Sequence, residues 1–223
     1  MEQKIVALPD GLRLWRQSLH SFAKTIYTSS DPAHDMLHIG RVVHWALRLA
    51  QVEGADPFIV LPAAYLHDMV NLAKDDPRRK EASRLSSAAA VDWLTGQGYP
   101  AQYLDAVAHA IAAHSFSAGI TPETIEAKVV QDADRLDALG AAGIARCFSV
   151  NAKFGSIFYH PDDFWATSRA PDDKNYAVDH FFVKLFKISE TMHTDAARAE
   201  AAERVGFMKA FLKQLESESK NTP

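Results

Sequence analysis

The stretch Gln131–Phe148, QDADRLDALGAAGIARCF, decides the fold. It sits inside a longer Ala-rich run, Glu126 to Val150, that is apolar on most sides. The period is helical, so a single helix is predicted over 126–150. Its near-complete apolarity places it close to the middle of the fold.

Outward from that stretch the chain goes on reading as helix. Leu12, Trp15, Leu19, Phe22 and Ile26 form one stripe over 12–27. Ser30 and Asp31 before Pro32 mark a break and a new start. A helix from about His34 to Val52 follows, with Leu37, Val42, Trp45, Leu49 and Val52 as its apolar side and Gly54 as its stop. Phe58 to Leu72 reads as a buried helix carrying His67 and Asp68. KDDPRRK at 74–80 is a loop. Helices are predicted over 83–97 and 102–114, and Thr121-Pro122-Glu123 is a cap with Pro in the first turn. Helices over 175–188 and 196–215 complete the set. The stretch 155–173, with Pro161 and Pro171, has no period and is expected to be a structureless functional loop.

No strand-period alternation, repeat or linker is found. The expectation is an all-α, single-domain helical bundle over 1–216, its helices over 175–215 packing on the rest, with a frayed tail at 217–223. The core aromatics are expected to include Trp15, Trp45, Trp93 and the phenylalanines.

Composition bounds the function. The chain has 223 residues, 48% hydrophobic and 23% charged, with a net charge of −4. That is an ordinary folded composition, not a disordered one. Cys147 is the one cysteine, which excludes an intrachain disulfide and a thiolate metal site and points to a reducing, cytoplasmic compartment. The first ten residues lack the pattern of a signal peptide. The longest apolar run, Phe58 to Leu66, falls far short of the ~20 residues that span a bilayer. The acidic balance argues against nucleic acid as a partner. A homo-oligomer is compatible with the sequence.

Ten histidines are unusual mainly for their placement. Candidate metal ligands fall in four separated segments: His34 and His38, His67-Asp68, His109 and His114, and Asp132, Asp134 and Asp137. Four helices can converge such groups inside a bundle. His34 and His38 share a face, as do Asp134 and Asp137, while Asp132 points away from Asp134. His67 and Asp68 lie about 100° apart and can chelate an ion over the edge between them. His109 and His114 are less well aligned. Two imidazoles and two carboxylates suit Mn²⁺, Fe²⁺, Co²⁺, Ni²⁺ or Zn²⁺ better than Mg²⁺. An open position on such an ion holds a water of lowered pKa, the basis of a hydrolytic site.

His38 in HIGRV, His67-Asp68 in YLHD and Asp134 in ADRLDALG resemble the H…HD…D signature of the HD-domain metal-dependent phosphohydrolases. Four longer blocks, AHDMLHIGRV, HAIAAHSFS, VVQDADRLDALG and DDKNYAVDHF, are similar to a bacterial branch of HD-domain nucleotide pyrophosphohydrolases. The likeness covers about residues 12–212, with the signature region at 34–140. It implies one divalent metal, Mn²⁺ foremost, held by His38, His67, Asp68 and Asp134. It also implies hydrolysis of nucleoside triphosphates to monophosphate and pyrophosphate.

Further roles rest on spacing together with this resemblance. Asp68 is expected to orient or deprotonate the attacking water, and His109 or His114 to protonate a leaving oxygen or contact a phosphate. Arg41, Lys74, Lys174 and Lys184 are candidate phosphate contacts, and Tyr176 and His180 candidate substrate contacts. His34 and Asp137 are candidates to orient a ligand histidine by hydrogen bonding, although Asp137 has an alternative in an ion pair with Arg41 or Arg146. The alternatives to the triphosphate reading are a phosphomonoesterase or phosphodiesterase on the same metal, and a nucleotide-binding regulator without turnover.

Overall fold

Nine α-helices, with short 3-10 and π-helical turns, make up the regular structure of the computed structural model, among its described residues, which are 8–28, 35–72, 76–115 and 118–219. Among these residues there is no strand, only an isolated bridge between Ile157 and Tyr176. The chain is all-α and divides into two compact units, residues 1–134 and 135–223.

The first unit holds α1 (Asp10–Ile26), α2 (Met36–Glu53), α3 (Pro57–Leu66), α4 (Ala82–Gly96), α5 (Leu104–His114) and most of α6 (Ile125–Asp137). Its centre is α3, which packs against α1, α2, α4 and α5. Every residue from Val60 to Leu66 is buried, as an all-round apolar helix requires. Asp56 caps its start by accepting from the Phe58 amide at 2.8 Å, with Pro57 in the first turn. Pro62 sits inside this helix and has no N–H for the Phe58 carbonyl. The Tyr99 hydroxyl donates to that oxygen instead, at 2.5 Å.

α3 ends at Leu66 rather than running to Leu72, so His67 and Asp68 stand at its exit. The last carbonyls of a helix lack helical partners. Here the His67 ring Nδ1–H donates to Ala64 O at 2.9 Å and the Tyr27 hydroxyl to Tyr65 O at 2.9 Å. Asp35 caps α2 by accepting from the His38 amide, and Gly54, at φ 73°, ends it in the left-handed conformation. Leu37 and Val52, expected on the apolar side of α2, are instead more than two-thirds exposed.

The second unit holds the end of α6, α7 (Gly140–Lys153), a π-helical turn at Phe181–Leu185, α8 (Phe186–Ser189) and α9 (Asp195–Ser219). The single helix expected over 126–150 is two helices. Gly140, at φ 71°, turns the chain between α6 and α7, a conformation open to glycine at little cost. The helix expected from Asn175 begins only at Asp179. The unit's core collects Ile144, Phe164, Val178, Phe181, Met208 and Leu212. Phe154, Phe158 and Phe207 lie outside it, each more than half exposed, contrary to the expectation for the phenylalanines. Cys147 is buried, and burial pushes its thiol up to about 12.

Residues 155–173, expected to be structureless, are internally built. Ile157 N–H donates to Asn175 O and Ala177 N–H to Ile157 O, at 3.0 and 2.9 Å. The Asp163 carboxylate accepts from the backbone amides of Thr167 and Ser168, which holds its pKa well below the usual carboxylate range. Asp179 is fully buried and accepts from both Arg169 Nη atoms, at 2.5 and 2.8 Å, and from the Asp172 amide at 2.6 Å. Removing one partner of a buried pair strands the other. Asp179→Ala is therefore expected to destabilise the protein by about 2 kcal/mol, near the low end because Arg169 keeps some solvent contact. Urea unfolding followed by tryptophan fluorescence measures it. An unchanged midpoint would show that the pair does not organise this segment.

Candidate metal centre

Four helices of the first unit bring titratable side chains to one place. α2 supplies His38 from its first turn, the exit of α3 supplies His67 and Asp68, the end of α5 supplies His114, and α6 supplies Asp134. His38 Nε2 lies 3.6 Å from Asp134 Oδ1, and His67 Nε2 lies 3.8 Å from the same oxygen. His67 Nε2 is 3.5 Å from Asp68 Oδ2, and His114 Nε2 is 3.2 Å from Asp68 Oδ1. His38, His67 and His114 are buried, while both carboxylates keep a partial opening to solvent.

Ligand atoms each about 2.1 Å from an ion stand roughly 3 to 4 Å apart. The donor atoms of His38, His67 and Asp134 lie within 4.8 Å of one another, as do those of His67, Asp68 and His114. The His67 ring gives the sharpest test of fit. Its Nδ1–H is committed to Ala64 O, so the neutral ring turns its Nε2 lone pair towards the two carboxylates. That Nε2 is buried and makes no hydrogen bond. Burial lowers the His67 pKa, against the pull of the neighbouring carboxylates, and keeps the ring neutral, as a metal ligand must be. The residues present fit a divalent cation.

His114 is different. Its Nδ1–H also donates to a backbone carbonyl, Ile111 O at 2.7 Å, and its Nε2 faces Asp68. Burial disfavours its charged form, but the hydrogen bond and charge of Asp68 outweigh that and raise its pKa. Asp68 thus makes His114 a stronger proton acceptor than a free imidazole.

The structure does not bring His109 to this cluster. Its Nε2 accepts from the Glu123 amide at 3.0 Å, a cap on the chain entering α6. Arg41 lies one turn beyond His38, half-buried. Asp137 is buried and pairs with Arg146 at 3.7 Å, one of the two ion pairs weighed for it. Lys174, Tyr176, His180 and Lys184 belong to the second unit. There Tyr176 packs under the Arg169 guanidinium, His180 binds Asp173 through Nδ1 at 2.9 Å, and the two lysines are exposed. His34 and Lys74 lie outside the described residues.

Tyr27 and Gln131 support the site without having been anticipated. Tyr27 is buried beside Asp68, and burial together with that carboxylate pushes its pKa well up. Gln131 donates to Ala113 O at 2.6 Å and ties α6 to the last turn of α5. Only the QDAD spelling hinted at Gln131, and nothing local marked Tyr27, which reads as the end of an apolar stripe.

A helical scaffold converging imidazoles and carboxylates around an adjacent His-Asp pair defines a metal-dependent hydrolase of the HD type. The chain belongs to the HD domain family, whose pattern it matches over residues 36–139. It is 36% identical over 206 residues to the uncharacterized protein YpgQ of Bacillus subtilis (strain 168), covering 91% of this chain and 92% of that one. Its fold is similar to the crystal structure of YpgQ in complex with ADP, with a TM-score of 0.72, 35% identity, and 92% and 95% of the two chains covered. It is also similar to an HD-superfamily hydrolase from Bacillus thuringiensis, with a TM-score of 0.74, 33% identity, and 94% and 99% covered. HD domains bind divalent metals, and this chain carries a His/Asp cluster that could hold one. Among the described residues no helix is long and apolar enough to cross a membrane.

Proposed function

We propose that this protein hydrolyses nucleoside triphosphates to nucleoside monophosphate and pyrophosphate. The observation that carries the reading is the contiguous cluster of His38, His67, Asp68, Asp134 and His114, which joins a metal-ligand set to an imidazole 3.2 Å from Asp68. The likeness to YpgQ, which was crystallised with ADP, supports a nucleotide as the small-molecule substrate.

His38, His67, Asp68 and Asp134 would hold the divalent ion, Mn²⁺ foremost among the Mn²⁺, Fe²⁺, Co²⁺, Ni²⁺ and Zn²⁺ that two imidazoles and two carboxylates suit. Bound there, the ion supplies Lewis acidity to a phosphoryl oxygen and lowers the pKa of a water. The chain's own groups do the rest. Asp68 orients the attacking water and accepts its proton. His114, hydrogen-bonded to Asp68, delivers a proton to the departing oxygen. Arg41 offsets charge on the phosphates. The single, buried cysteine suits a reducing cytoplasm.

Metal-stripped protein incubated with a panel of nucleoside triphosphates and Mn²⁺ tests this, with the products resolved by ion-exchange chromatography. Monophosphate and pyrophosphate in equal amounts are expected. Release of orthophosphate alone would keep the metal site and move the reaction class. No turnover with any triphosphate would overturn the reading.

A further inference from the structure

The outer face of α2 carries a groove that the hydrolytic cluster does not use. Leu37, Arg41, His44 and Arg48 are spaced four, three and four residues apart, one stripe along the helix. The groove has a volume of about 520 Å³, and among the described residues Arg41, His44, Trp45 and Arg48 line it. That concentration of positive charge stands out in a chain of net charge −4.

The lining is arranged rather than merely exposed. The Arg48 guanidinium lies 4.6 Å over the Trp45 indole, and the His44 ring meets the same indole edge-on at 5.7 Å. Indole stacking restrains Arg48, and a stacked guanidinium keeps its in-plane N–H donors for a planar, bidentate partner. Gly40 lines the groove as well, and a Cβ added there would meet no atom within 4 Å. A glycine inside a helix is unfavourable. Here its effect is to keep the groove open.

His38 faces the cluster from the same helix. At about 100° per residue, Arg41, His44 and Arg48 lie roughly 60° to 120° around the helix from it, all to one side. At about 1.5 Å per residue, Arg48 lies roughly 15 Å further along the axis. The groove therefore adjoins the cluster and leads away from it. A triphosphate attacked at its α-phosphorus must lay two further phosphates beyond the reacting atom.

We propose that this groove holds the β- and γ-phosphates, the leaving pyrophosphate, with Arg41 and His44 nearest the cluster and Arg48 at the outer end. The proposal rests on the pyrophosphohydrolase reading and deepens it. Guanidinium groups suit phosphate oxygens because their paired N–H donors match them bidentately.

The test is calorimetric titration of the Mn²⁺-loaded protein with inorganic tripolyphosphate and, separately, with adenosine. Arg48→Gln is expected to weaken tripolyphosphate binding about 5- to 20-fold, since charge-assisted bidentate contacts are the strong ones. Gly40→Glu, which sets a carboxylate in the open groove, is expected to weaken it further. Neither change should alter adenosine binding or the Mn²⁺ affinity read by electron paramagnetic resonance. Tripolyphosphate binding that both variants leave untouched overturns the groove, as does loss of adenosine binding in Arg48→Gln. Variant-sensitive tripolyphosphate binding without triphosphate hydrolysis keeps the groove and overturns the hydrolytic reading.

Discussion

Replacing His67 by alanine is expected to abolish tight divalent-metal binding and to lower triphosphate hydrolysis by at least about 10³-fold, or roughly 4 kcal/mol of transition-state stabilisation. The reason is geometric. His67 Nε2 lies 3.5 Å from Asp68 Oδ2 and 3.8 Å from Asp134 Oδ1, and it belongs to both candidate ligand groups. Alanine removes the imidazole that lies between the two carboxylates and leaves His38 as the one imidazole of the proposed ligand set. Asp68→Ala is expected to match it in turnover, since Asp68 also carries the hydrogen bond to His114. Mn²⁺ titration followed by electron paramagnetic resonance, alongside steady-state rates, separates the two effects. Wild-type metal affinity in His67→Ala would remove this residue from the ligand set and the cluster from the chemistry.

Gly143→Ala is expected to destabilise the protein by about 3 kcal/mol, although it adds one methyl group to a helix. A Cβ at this position would stand 2.2 Å from the Ala138 carbonyl oxygen and 2.5 Å from its carbon. Both are backbone atoms, so no side chain can swing aside. The crowding comes from the turn at Gly140, which folds the end of α6 back onto the first turn of α7. Gly206→Ala, inside α9 with nothing within 4 Å of the added carbon, is the matched control. It should be neutral or stabilising by about 0.5–1 kcal/mol. Thermal melts of the two variants make the comparison. Equal melting temperatures would show that the α6–α7 turn yields freely.

Helix content was legible because a 3.6-residue apolar period survives in almost every segment. Leu12 and Leu19 in α1 are fully buried as that period requires. The clearest misreadings come from positions where local pattern and tertiary surroundings part. Leu37 and Val52 continue the stripe of α2 yet are exposed. The run 126–150 reads as one helix because Ala and Gly at 138–143 are compatible with helix on one side and a turn on the other. The positive φ at Gly140 settles it. The stretch 155–173 lacks a period, yet Asp163, Arg169 and Asp179 build it through polar contacts that carry no periodic signal.

By itself the amino-acid sequence determined an all-α chain and pointed to four segments able to present imidazoles and carboxylates. Residue type and spacing encode both. Tertiary structure decided which of those groups meet. His109 and His114 sit five residues apart on one helix, and only the second lies within reach of Asp68, because α5 ends at His114 beside the exit of α3. The tautomer of His67 was likewise beyond local reading. It follows from α3 stopping at Leu66, which leaves the Ala64 carbonyl for the ring Nδ1–H and turns Nε2 towards the carboxylates. Convergence of side chains from distant segments is a property of packing, and packing is written in no single stretch of the chain.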